Sequence, residues 1–221
     1  MMHSPRSRPG GSSKNSSRVW NVFVRRVHQL VHHGYDRLQP ATYAQTEETA
    51  ITGDLVEAID FVLSDRNEPW MVAFSVHDDP PVNNGSRKGK QRKRVDLRID
   101  SGAFQPRARF RFESKRLGKR HTAKVYLGPE GLGCFLRGDY ARDEDEAGMI
   151  GYVQSDDLDT WGNKIAHELA QTPASYSVDP TLPFSKRAKA STASSQTYCS
   201  SHHRPTVGRT ILIDHVLLLF H

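Results

Sequence analysis

The chain has 221 residues, a formal charge of +6 and 36% hydrophobic residues, which is enough for one core with polar sequence left over. It contains no apolar run long enough to cross a bilayer (about 18 residues or more), and its basic N-terminal stretch lacks the apolar segment of a secretory signal. Two cysteines, Cys134 and Cys199, cannot build a disulfide framework, so a reducing, cytoplasmic setting is expected.

The charge is more informative by position. Residues 86–125 carry fifteen Lys and Arg against three acids, a block of +12 between two acidic segments. Charge this concentrated points to a polyanionic partner, or to a solvated loop.

Residues 1–17, rich in Ser, Gly, Arg and Pro, read as a disordered tail. From Arg18 to His33 the spacing of Trp20, Phe23, Val24, Val27, Leu30 and Val31 predicts an amphipathic helix stopped by Gly34. Its apolar face must pack on the domain or form a homodimer contact. A second helix is predicted from Thr46, as its cap, to Ser64, with Glu47 and Glu48 in the first turn, where the helix dipole favours acids.

Three strands are expected next. Trp70–His77 is apolar. Arg94–Asp100 alternates, with Val95, Leu97 and Ile99 on one face, and Arg107–Lys115 alternates likewise. A short helix is predicted within residues 129–140, a buried strand at Gly148–Gln154 and a helix capped by Asp156 or Asp157. Residues 171–208, rich in Ser, Thr and Pro, read as a long mobile loop, and 210–220 as a buried strand. The order implies one α/β domain with a mixed sheet.

Glu113 and Lys115 stand two apart, so both point to one side of their strand. If the preceding strand pairs as a hairpin, Asp96 approaches Glu113. Two carboxylates sharing a site repel, and a hard divalent cation relieves that repulsion. A lysine beside them can hold or deprotonate a water, or neutralise charge on a phosphate. An acid-x-Lys triplet alone is expected about once by chance in such a chain; the alternating strand, the Asp-bearing strand before it and the acidic helix start give it context. The plain alternative is a solvated polar face with Arg109 and Arg111 pairing to the acids. Cys199 with His202 and His203, and His28 with His32, offer weaker metal-like spacings, and Gln154 ends its strand near the site.

Asp96 and Glu113-Ser114-Lys115, in a helix, three strands, helix, strand order over about residues 43–155, resemble the PD-(D/E)XK nuclease superfamily. The segments RFRFESKRL, GLGCFLRGDYA and GMIGYVQSD also resemble small bacterial nuclease-like proteins. The resemblance implies a restriction-endonuclease-like core (αβββαβ) within a single domain spanning 18–221, with an added N-terminal helix and C-terminal strand. It implies a metal-dependent nuclease acting on DNA, with RNA as the lesser substrate, in a bacterial, phage-defence or mobile-element setting. Asp96 and Glu113, with Glu48 or Glu47, would bind Mg²⁺ or Mn²⁺, and Lys115 would support the attacking water. Asp100 competes with Asp96, and Arg94-Val95-Asp96 lacks the Pro of the motif's name. Arg87, Lys88, Lys90, Arg92, Lys93 and Arg94 on one side, and Arg116, Lys119, Arg120 and Lys124 on the other, would contact backbone phosphates. The alternative is an inactive nuclease-like module that binds nucleic acid or a partner protein.

Overall fold

The computed structural model describes residues 13–82, 90, 92–187 and 192–221. Helix α1 (Ser13–Tyr35) begins before Arg18, so the last residues of the expected tail are helical. Phe23, Val24, Val27, Leu30 and Val31 recur at three- and four-residue spacing, and all are buried. They pack against helix α2 (Glu48–Asp65) and the sheet, so the stripe that offered a homodimer contact is consumed within the chain. Gly34 does not stop α1. A Cβ there would stand 2.5 Å from Ile59 Cγ1, so its role is to let the two helices approach.

Seven strands form one mixed sheet in the order β1-β2-β3-β4-β7-β6-β5. They are β1 (Phe74–Asp78), β2 (Leu97–Ser101), β3 (Ala108–Leu117), β4 (Glu146–Val153), β5 (Ser185–Lys186), β6 (Ser195–Arg204) and β7 (Arg209–Leu219). β3–β4 and β4–β7 are parallel and the other pairs antiparallel. β4 is buried along its whole length, as expected of a parallel strand covered on both faces. At Gly148 a Cβ would meet the Phe112 ring at 2.2 Å, which is why the centre of the sheet tolerates no side chain there.

Helices α1 and α2 cover one face, over Leu97, Ile99, Phe110, Phe112, Ile150 and Tyr152. The other face is covered by α3 (Ala123–Tyr126), α4 (Leu132–Leu136) and α5 (Leu158–Gln171), through Tyr126, Phe135, Trp161, Ile165 and Leu169. The Asp157 side chain caps α5 by accepting the Thr160 N–H at 2.6 Å.

The sequence reading needs four local corrections. Thr46 does not cap α2; Glu47 occupies that position without a capping bond. Pro69–Ala73 is a 3₁₀ turn, so β1 starts at Phe74. Val95 packs in the second core, opposite Leu97 and Ile99, because the chain turns over at Asp96. Residues 171–208 are not one mobile loop: they contain β5 and the ten-residue β6, of which only His203 is exposed.

A polar composition hid β6 because its polar groups pair inside the core. Tyr126, His215, Ser200 and His202 are all fully buried. His202 Nδ1 lies 2.8 Å from the Tyr176 carbonyl, so it must be the protonated nitrogen there. The rest of the chain follows in one direction. Ser200 donates to His202 Nε2 at 2.7 Å, His215 Nε2 donates to Ser200 at 2.7 Å, and Tyr126 donates to His215 Nδ1 at 3.1 Å. Every member is neutral and satisfied.

Candidate active site

The site exists because two paired strands separate. β2 and β3 stay in register as far as Leu97 opposite Phe112. Beyond that point β3 continues beside β4 to Leu117, while the chain before β2 pairs only with the segment after β1, where the Asp79 N–H meets the Asp96 carbonyl at 2.9 Å. Among the described residues, the edge of β3 from Ser114 to Arg116 therefore has no strand partner on that side. Two carboxylates replace it. Asp96 Oδ2 accepts the Ser114 N–H at 2.6 Å, and Glu48 Oε2 accepts the Arg116 N–H at 3.0 Å.

Lys115 joins the acids. Its Nζ donates to Glu113 Oε1 at 2.8 Å, to Glu48 Oε1 at 2.9 Å and to the Ser114 carbonyl at 2.7 Å, which spends all three ammonium protons. Glu48, Asp96, Glu113 and Lys115 are thus brought together as the sequence reading expected. Glu47 points outward, 74% exposed, and pairs with Arg116 at 2.7 Å, so Glu48 is the acid of α2 that joins this group. Asp100 lies further along β2 among His77, Arg98 and Arg107, so Asp96 is the acid beside β2 that reaches it.

Neighbouring residues hold this arrangement. Gln154 Nε2 donates to the Tyr43 and Thr46 carbonyls, at 2.7 and 2.9 Å, and anchors the chain entering α2. Its role is to position Glu48. The Tyr152 hydroxyl lies 2.9 Å from Thr52 Oγ1 and 3.2 Å from Ser114 Oγ, tying α2 to β3 through β4. Tyr140 donates to the Arg94 carbonyl at 2.6 Å and fixes the chain entering Asp96.

Burial, and then Asp96, push the Glu113 carboxyl well above the ordinary carboxylate range. Burial also raises Asp96, partly offset by the Ser114 N–H and Lys115. For Lys115, burial opposes the charged form, but Glu113 and Glu48 outweigh it, so the side chain is held as an ammonium.

A cleft of about 350 Å³ reaches Glu48 and Asp96 of this group and is lined by Glu48, Thr49, Thr52, Asp78, Asp79 and Asp96. Asp78 and Asp79 were missed by the sequence reading. Their only signal was adjacency to Pro80-Pro81 at the end of an apolar strand. Asp79 takes a left-handed conformation (φ 41°) and pairs with Arg94.

The donor set consists of carboxylate oxygens, the type that suits Mg²⁺ or Mn²⁺. Glu113 is 5% exposed, and its Oε2 is buried without a hydrogen-bond partner among the described residues. An orphaned carboxylate oxygen of this kind fits a cation ligand. Among the described residues no three His, Cys, Asp or Glu form a ready-made metal cluster, and Lys115 stands between Glu48 and Glu113.

The basic residues divide. Arg87 and Lys88 lie outside the described residues. Lys90 is exposed, Arg92 is half-buried, and Lys93 pairs with Glu130 at 3.5 Å. Arg94 and Arg116 pair with Asp79 and Glu47, so neither is a free phosphate contact. Lys119 and Arg120 are exposed just after β3, and Lys119 lines a second cleft with Lys124 and Lys164. The other histidine spacings do not make metal sites: His28 bonds Asp214 and His32 bonds Ser195. Among the described residues no helix is long and apolar enough to cross a membrane. Compared with models of known protein families, with curated proteins and with solved structures, the chain matches none.

Proposed function

We propose that this chain is a metal-dependent nuclease with a restriction-endonuclease-like core. The observation that carries the reading is the Lys115 ammonium shared by Glu48 and Glu113, beside Asp96, at the point where β2 leaves β3. The α2-β1-β2-β3-β4 order, antiparallel through β3 and then parallel, supports it.

Asp96 and Glu113, with Glu48, would hold Mg²⁺ or Mn²⁺, which would polarise a phosphodiester and lower the pKa of bound water. Held as an ammonium, Lys115 acts as a donor. It orients the attacking water and neutralises negative charge growing on the phosphate. Asp96 and Glu48 keep their positions because each is fixed by a β3 backbone N–H. The excess of basic residues in 86–125 favours a polyanionic substrate, and the resemblance to the nuclease superfamily puts DNA before RNA.

The test is incubation of plasmid and linear DNA, and of RNA, with Mg²⁺ or Mn²⁺. The reading predicts degradation that is lost in Asp96→Ala and Lys115→Ala. A second reading, an inactive nucleic-acid-binding module, is favoured by the Lys115 ammonium filling the space between the carboxylates. It predicts binding without cleavage in either metal.

A further inference from the structure

The helices on the second face pack chiefly over β3, β6 and β7 rather than over β1 and β2. That face carries a cationic group, largely buried at Asp100, Arg98 and Arg111 and exposed at Arg107 and Arg109. In cross-strand register, Ser75, Asp100 and Arg109 form one row, and His77, Arg98 and Arg111 form the next. Arg98 and Arg111 are directly opposite, a like-charge pairing that destabilises a sheet when nothing neutralises it.

The acids present do not balance the group. Asp100 is 2% exposed, with Arg98 Nε at 3.0 Å, His77 Nε2 at 3.5 Å and Arg107 Nε at 3.7 Å, so one carboxylate serves two guanidiniums and an imidazole. Arg107 also donates to Ser75 Oγ at 3.1 Å, and Arg111 pairs with Glu144. Arg109 is exposed and Arg107 half-exposed, and both border a hollow of about 600 Å³ walled in part by Trp20 and Phe104. Guanidiniums beside aromatic walls suit a polynucleotide, which has both phosphates and bases.

Position connects this face to the site. Arg109, Arg111 and Glu113 are successive same-side positions of β3, each about 7 Å from the next, and Arg107 immediately precedes the strand. That is on the order of the step between neighbouring phosphates of one nucleic-acid strand.

We propose that the edge of the sheet beside this hollow, through the exposed Arg107 and Arg109, holds the phosphodiester backbone of the substrate on its approach to Glu113. This rests on the nuclease reading for the identity of the ligand, and it moves the principal backbone contact from the basic loop before β2 to the sheet itself.

The test is fluorescence anisotropy of a labelled 20-nucleotide DNA, single-stranded and duplex, and of RNA of the same sequence, in EDTA so that binding is read without cleavage. Arg107→Gln and Arg109→Gln change exposed side chains, and circular dichroism checks that each still folds. Each is expected to weaken binding roughly 3- to 10-fold, and the pair to flatten the dependence of log K on log salt by about two. Preference among the three probes identifies the strand type held. Wild-type affinity and salt slope in the folded double variant would overturn the proposal, as would no binding of any probe by the wild type. Cleavage is read separately in Mg²⁺. Arginine-dependent binding without cleavage supports the face and rejects the nuclease; cleavage unaffected by the two substitutions does the reverse.

Discussion

Asp96 accepts the backbone N–H of Ser114 at 2.6 Å, in the place where the carbonyl of a paired strand would otherwise stand. Glu48 does the same for Arg116 two residues on. The carboxylates are therefore structural partners of β3 before they are ligands of anything else, and the two roles can be separated by substitution.

Asp96→Asn keeps an oxygen to accept the Ser114 N–H, whereas Asp96→Ala leaves that N–H unpaired. Urea denaturation should place the Asn variant within about 1 kcal/mol of wild type and the Ala variant about 1–3 kcal/mol below it. Both should lose cleavage, because the Asn variant has no charge to hold a cation. Equal stability of the two variants would show that the Ser114 contact does not matter to the fold.

Glu113→Gln should separate stability from metal binding. Burial and Asp96 both disfavour the Glu113 charge, so removing it should leave the melting temperature in EDTA unchanged or higher. The rise in melting temperature that Mg²⁺ gives the wild type should disappear. Differential scanning fluorimetry in EDTA and in Mg²⁺ reads both effects. A retained Mg²⁺ shift would remove Glu113 from the ligand set.

Gln154→Leu removes both bonds to the chain entering α2. The expected cost is about 1–3 kcal/mol in denaturation, with a fall in the cleavage rate of roughly tenfold as Glu48 loses its fixed approach. Substitution at His221, which bonds the Asp156 carbonyl two residues after Gln154, should not affect the rate. A Gln154→Leu enzyme with wild-type kinetics would show that Glu48 needs no such anchor.

The buried histidine chain makes stability depend on acid. Burial lowers the His202 pKa to about 4, and burial lowers His215 in the same direction. Between pH 4 and about 6.5 the unfolded chain binds protons that the folded chain refuses, so stability rises with pH across that window. His202 alone should contribute about 3 kcal/mol at pH 7 that is lost as the pH falls through 6.5 to 4. Ser200→Ala, which leaves both imidazole Nε2 atoms unpartnered, should cost about 2–4 kcal/mol at neutral pH. Denaturation curves from pH 4 to 8 check both. A flat profile would mean that the histidines are not held neutral.

The parts of this molecule that were legible in its sequence are those where side-chain period follows the backbone. The stripe of α1, the buried run of β4, the capped start of α5 and the Glu113–Lys115 pair could all be read. The approach of Asp96 to β3 was legible in spite of a wrong face for Val95, which alternation misplaced because it does not register the turn of the chain where β2 leaves β3. β6 was invisible for a different reason: its Ser200 and His202 are buried through a hydrogen-bonded chain whose other members, Tyr126 and His215, lie on other elements. Asp78 and Asp79 belong to the cleft only through the pairing of β1 with β2, and no spacing along the chain announces that.

The most direct measurement is the initial rate of plasmid nicking in Mg²⁺ by the wild type and by Lys115→Met, with EDTA as the control. Metal-dependent nicking by the wild type, reduced at least about 100-fold in the variant, is the predicted result. No nicking by the wild type in Mg²⁺ or Mn²⁺, or equal nicking by the two proteins, would contradict it.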